Sequence, residues 1–181
     1  MNVQGSGMRR FRGAVAAAVF LALSSAGGAA EDIAYEPMKA FAPYAGKTWR
    51  GTGKDAQGKD VVDVAHWEFI LGGRALQTTH RIEGDTYGGR TIIFYDEGAK
   101  KHVYHYFTTG GYHTQGDIVI DGEQIDAFED VKGHPTITKV KGSFRIDGDK
   151  LVSESEYLDA GKWVAGHSFV YSEAPGAEVG Y

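Results

Sequence analysis

From Lys47 to Tyr171 the chain alternates apolar and polar positions in runs of about eight to twelve residues, and almost every run stops at a turn signal. A period of two predicts strands, over roughly 47–53, 61–71, 74–82, 90–96, 101–108, 112–120, 123–131, 135–146, 150–158 and 162–171. The links carry Gly72-Gly73, Gly88-Gly89, Gly110-Gly111, Asp121-Gly122, Asp147-Gly148 and Asp159-Ala160-Gly161. Such dipeptides supply the positive φ of tight hairpins, so neighbours in sequence should be neighbours in the sheet. The expected fold is all-β: a single antiparallel β-barrel of about ten strands over 47–172, with an open sandwich as the alternative. Residues 31–46 form a lead-in, in which 33–41 is expected to make a short helix with Pro37 in its first turn. Residues 173–181 read as a flexible tail.

The first thirty residues have a different pattern. Arg9, Arg10 and Arg12 precede an unbroken apolar run from Ala14 to Leu23, and small residues follow as far as Ala30. This is the layout of a secretory signal over 1–30, cleaved before Glu31. The apolar run is too short to span a bilayer, which takes about 20 residues. A periplasmic or secreted protein without stable membrane insertion is therefore expected. Arg9-Arg10 leaves both the general and the twin-arginine export routes open.

Charge and composition narrow the function. The full chain carries 19 basic and 24 acidic residues; without Arg9, Arg10 and Arg12 the basic count falls to 16, so the remainder is markedly acidic. That argues against nucleic acid as a partner. The absence of Cys excludes disulfides, thiolate metal sites and Cys nucleophiles.

Turn geometry assigns faces. With Gly72-Gly73 as a two-residue turn, Ala65, Trp67, Phe69, Leu71, Leu76, Thr78, His80 and Ile82 share one face, which is the apolar one and should point inward. With two or four residues in the loop at Gly110-Gly111, His102, Tyr104, Tyr106, His113 and Gln115 share one face. Val103, His105, Phe107, Thr114, Ile118 and Ile120 then share the other. Burying Val, Ile or Phe contributes about 1.5–3 kcal/mol each, so the second face is expected inside, with His105 and Phe107, leaving Tyr104 and Tyr106 outside.

Phe41-Ala-Pro-Tyr-Ala-Gly-Lys-Thr-Trp-Arg-Gly-Thr-Gly53 resembles the first strand of calycin-like barrels, the lipocalin and fatty-acid-binding superfamily, with Gly46-x-x-Trp49 one residue longer than the usual spacing. Trp67-Glu-Phe-Ile-Leu-Gly-Gly-Arg-Ala-Leu76 is similar to a segment of the lipocalin-like DUF1579 group. So are Ile93-Phe-Tyr-Asp96, the Tyr-rich hairpin over 104–112 and Lys162-Trp-Val-Ala-Gly-His-Ser-Phe-Val-Tyr171. The likeness covers about 41–172 and implies a barrel that holds a small apolar molecule. The neighbouring nitrobindin-like barrels use a His on the last strand as a haem ligand. His167 lies in the corresponding strand, one register step away, so haem is the cofactor that this resemblance raises.

Candidate chemistry is sparse. The seven His form no His-x-His pair and no His-Glu-x-x-His, so no metal site is expected. No Ser sits in a Gly-x-Ser-x-Gly elbow, and no catalytic residue is assigned. Glu154 and Glu156 share a strand face that reads as solvated, opposite Ser153, Ser155 and Tyr157. The ligand-binding candidates are Trp49, Trp67, His80, His105, Phe107 and His167, lining a cavity for a small apolar or amphipathic molecule. A barrel enzyme using an interior His and a filled cell-envelope interaction module are the competing classes.

Overall fold

The computed structural model describes residue 30, residues 33–55 and residues 57–180. The segment read as an export signal lies almost wholly outside them.

Ten strands follow one another as an antiparallel meander: β1 (Lys47–Lys54), β2 (Asp60–Ile70), β3 (Ala75–Ile82), β4 (Gly88–Asp96), β5 (Lys101–Thr108), β6 (His113–Asp121), β7 (Gln124–Lys132), β8 (Ile137–Asp147), β9 (Lys150–Asp159) and β10 (Lys162–Glu173). β10 pairs back onto β1, from Trp49 opposite Glu173 to Lys54 opposite Ser168, and this ladder closes the barrel. Closure removes the two exposed edges that a sandwich would leave.

The Gly72-Gly73 hairpin has the expected register, with Ala65 opposite His80, Trp67 opposite Thr78 and Phe69 opposite Leu76. Leu71 is an exception to the face assignment. It sits in the turn at φ 53° and is 74% exposed.

The β5–β6 hairpin overturns an expectation. Phe107 pairs with His113 and the Thr108 amide bonds to the Tyr112 carbonyl, so three residues, 109–111, make the loop. Gly111 takes φ 80°, the left-handed position that three-residue loops use. An odd loop length shifts β6 by one residue and exchanges its faces. Tyr106 therefore stands opposite Thr114, and His102 opposite Ile118. The ring of neighbours settles which face is inner. Leu76 pairs with Ile93, and Ile93 with Tyr104; all three are buried. His105 and Phe107 are thus on the outer face, where Phe107 stacks on His105 and His113 and is 53% exposed. Phe107→Ser should change folding stability by no more than about 0.5 kcal/mol, as a surface substitution does. A urea midpoint shifted by several times that would put Phe107 back inside.

One barrel end is filled. A six-residue 3₁₀ turn, Glu36–Phe41, has Pro37 near its start. Met38 and Phe41 are wholly buried, and His102 Nε2 donates to the Pro37 carbonyl at 2.6 Å. After the turn, Tyr44 stacks on Trp67 at 5.4 Å between ring centres, and Phe144 meets both edge-on. Trp49 is buried here and donates to the Tyr44 carbonyl. This aromatic layer forms a floor. Beyond it the inner face becomes polar.

Candidate functional site

Five turns surround the far end of the barrel: β1–β2, β3–β4, β5–β6, β7–β8 and β9–β10. Below them the inner face carries Asp63 from β2, His80 from β3, Tyr106 from β5, Glu129 from β7, Ser155 and Tyr157 from β9 and His167 from β10. Alternation brings all but His167 there, because each lies an even number of residues from a buried apolar side chain on its own strand. Glu129 shares its parity with Ile125, and Tyr157 with Leu151.

Asp63, His80 and Tyr106 form one linked set. Asp63 is 3% exposed. Its Oδ1 lies 2.8 Å from His80 Nδ1, and its Oδ2 accepts from the Tyr171 hydroxyl at 2.9 Å. His80 Nε2 lies 2.7 Å from the Tyr106 hydroxyl. Tyr106 reaches His80 over Gly89, where any Cβ would stand 2.3 Å from the Tyr106 ring. Tyr171 likewise lies flat over Gly51. The chain continues to the mouth, because Tyr87 OH is 3.2 Å from Tyr106 OH and 3.0 Å from Tyr112 OH. With Asp63 as a carboxylate, His80 donates from Nδ1 and accepts at Nε2, so Tyr106 donates to it. Burial raises the pKa of Tyr87, Tyr106 and Tyr171 above that of a free phenol, so all three remain donors at neutral pH.

His167 owes its position to a break in the ladder. Ala165 pairs with Glu156 but Ser168 with Glu154, so β10 holds one extra residue there. This bulge re-aims the side chain inward. The Ser155 hydroxyl fills the bulge, accepting from the His167 amide at 3.0 Å and lying 3.0 Å from its Nδ1. Ser153 Oγ lies 3.3 Å from Nε2. Gly166 is required beside it, since a Cβ would stand 2.3 Å from Ser155 Oγ. Burial pushes the His167 pKa down to about 4, so the ring is neutral at pH 7.

Glu129 has no such support. It stands one strand from Gly116, beyond which lies Tyr104, and on its other side is Val140. Burial alone pushes its pKa up to about 8. Four further buried atoms lack a hydrogen-bond partner among the described residues: Trp67 Nε1, Tyr104 OH, Thr114 Oγ1 and Asp159 Oδ1. Tyr104 and Thr114 are each 3% exposed and on the inner face. Among the described residues no three His, Asp or Glu side chains are grouped to hold a metal ion.

Of the residues singled out from the sequence, Trp49 and Trp67 are in or under the floor, and His80 and His167 are in the polar half. His105 and Phe107 are outside. Sequence reading did not single out Asp63, Glu129 or Tyr87 for this site; it weighed the face of Tyr106 as a ligand site and then placed it outside. Two external hollows of about 390 and 410 Å³ flank the β3–β4 turn, away from the tyrosines and open to solvent. Their linings are surface side chains such as Arg81, Glu83, Asp85 and Lys59, and none of the inner-face groups described above takes part in them.

No protein-family profile and no curated protein sequence matches the chain. Fifteen solved chains match it in structure. One is the crystal structure of Rv2717c from M. tuberculosis, at 15% identity and a TM-score of 0.59, covering 78% of this chain and 99% of that one. At this identity the likeness establishes a shared β-barrel fold and nothing about activity.

Proposed function

We propose that the open half of the barrel is a binding chamber for a small amphipathic molecule, and that the protein acts by binding rather than by turnover. One observation carries this reading: Tyr104 OH and Thr114 Oγ1 are buried on the inner face without a hydrogen-bond partner among the described residues. An unmade hydrogen bond costs about 1–3 kcal/mol, so native interiors leave few of them. A bound molecule with polar groups would satisfy these atoms, while the floor of Trp67, Tyr44 and Phe144 would take its apolar end. Export to the periplasm or beyond, from the signal-like first thirty residues, is part of the proposal.

The test is titration of the full chain with 1-decanol, following tryptophan emission. The expected result is a saturable blue shift that is lost in Trp67→Phe. Absence of any saturable change in the parent would overturn the binding reading. Haem is the second reading, favoured by the inward, neutral His167, since the neutral imidazole is the ligating form. Both of its ring nitrogens already meet hydroxyls, which weakens that reading. A Soret band on adding hemin, lost in His167→Ala, would establish it. Catalysis through His80 has less support, because Asp63 and Tyr106 close both of its ring nitrogens.

A further inference from the structure

The charges of the chamber are one-sided. Asp63 and Glu129 point inward from β2 and β7. Asp159, at the top of β9, has the parity of Tyr157 and one buried oxygen without a partner among the described residues. The lysines and arginines of the surrounding strands have the opposite parity, except Lys162 and Lys47, the latter opposite Trp67 at the floor end and ion-paired there with Glu173. Arg81, Arg90, Lys132, Lys139 and Lys141 alternate with the inner-face residues, and Lys139 pairs with Asp130 outside. Lys162, opposite Asp159, shares the inner face but is exposed where β10 begins. An anionic ligand would therefore bring its charge to Asp63 and Glu129 with no cation at their depth to balance it.

The rings have a matching bias. Tyr87, Tyr106, Tyr112 and Tyr157 stand around the same space, linked by hydroxyl bonds and by the electrostatic contact of Tyr157 with Tyr112 and Glu129. Aromatic faces attract cations, most strongly where water is excluded. A tyrosine set with an unpaired carboxyl beside it is suited to an ammonium group. Tyr104 OH and Thr114 Oγ1 are buried, unpartnered and one strand from Glu129 or its cross-strand neighbours, so they can accept from the same group.

Resting on the chamber reading above, we propose that the ligand is an organic ammonium compound: a protonated amine on an apolar body, with the amine at Glu129 among the tyrosines and the apolar body on the Trp67 floor. Fatty carboxylates are the class that the chamber rejects. Binding the cation requires Glu129 to ionise. Above pH 4 neutral His167 adds no charge, and the raised Tyr87, Tyr106 and Tyr157 stay protonated. Tyr104, Tyr112 and the Asp63–His80 pair face the same space, so their influence is separated by variant and not by pH alone.

The experiment compares decylamine, 1-decanol and decanoate with the full chain by calorimetry from pH 6 to 9. All have one chain length, and the amine stays protonated throughout, as a Lys side chain does near pKa 10.4. Decylamine is expected to bind at least tenfold more tightly than decanoate at pH 8. Its affinity should rise at least tenfold from pH 6 to 9, with release of about one proton per ligand at pH 7, because Glu129 titrates near 8. In Glu129→Gln the preference for decylamine over 1-decanol should fall at least tenfold and the rise with pH should flatten. Phe107→Ser, on the outer face, should keep the preference. If 1-decanol binds but decylamine has no advantage, or the advantage survives in Glu129→Gln, the ammonium proposal is overturned and the chamber stands. If none of the three binds, both are overturned.

Discussion

Glu129→Gln is expected to stabilise the protein at pH 8 by about 3 kcal/mol. The unfolded carboxyl ionises near its ordinary value of 4.5, whereas the folded one holds its proton up to about 8. Between those values the folded state binds the extra proton, so this group's contribution lowers stability as pH rises, and the loss is complete above pH 8. Each unit is about 1.4 kcal/mol, which would give ~5 kcal/mol for full burial; partial exposure reduces it to the figure above. For a chain of this size the gain is roughly 6–12 °C in Tm. At pH 4 the two proteins should unfold together, since Glu129 is protonated in both of its states there.

His167 tilts the other way. Its unfolded value of 6.5 lies above its folded value of about 4, so the unfolded state takes up the proton first and stability is lost as pH falls through that window. From 4.5 to 6.5 the two slopes oppose each other, and the parent should show a plateau there, declining on both sides. Glu129→Gln removes one slope: its stability should climb from pH 4 to 6.5 and then level off. Thermal melts at half-unit steps check this. A variant no more stable than the parent at pH 8 would show that Glu129 is ionised and paired in the native state.

Much of this site was legible as parity and little of it as chemistry. Strand alternation counted from the Gly72-Gly73 turn placed Trp67 and His80 inside, because the link that forms, 71–74, also has an even number of residues and keeps the expected parity. The same counting places Asp63 inside, two residues before Ala65. A carboxylate at an inward position is a signal that sequence can show, and so is Glu129 four residues after Ile125. Two features resisted. The loop at 109–111 could have held two, three or four residues, and only the odd number sends Tyr104 and Tyr106 inward. Energetics of burial pointed the wrong way there, since they compared isolated side chains. In the barrel Tyr106 is held by His80 and Tyr87, and Tyr104 is already committed by Ile93 opposite it. The bulge at His167 is the other feature. Its only trace in sequence is Gly166 within a strand, a recognised mark of a bulge or a close approach.

Asp63→Ala should be the most damaging single change in the polar half, costing about 3–5 kcal/mol. The carboxylate is buried beneath the chamber and has two separate partners, His80 Nδ1 and the Tyr171 hydroxyl. Removing it leaves both of these groups without their acceptor, and Tyr171 is itself only 7% exposed. It also releases the ring that Tyr106 contacts through Nε2, so the line of hydroxyls to Tyr87 and Tyr112 loses its anchor. Asp63→Asn keeps the shape and one acceptor oxygen, which can serve Tyr171 or His80 but not both as before. It should therefore cost less, about 1–2 kcal/mol. The combination with Tyr171→Phe separates the two partners. If Asp63 mainly satisfies the Tyr171 hydroxyl, the double variant will lose less than the two single losses added together, with a coupling of 0.5 kcal/mol or more. Urea unfolding at pH 7 measures all five proteins, the parent included. Equal midpoints for Asp63→Ala and Asp63→Asn would mean that the carboxylate charge, and not the satisfied geometry, is what holds this part of the barrel together.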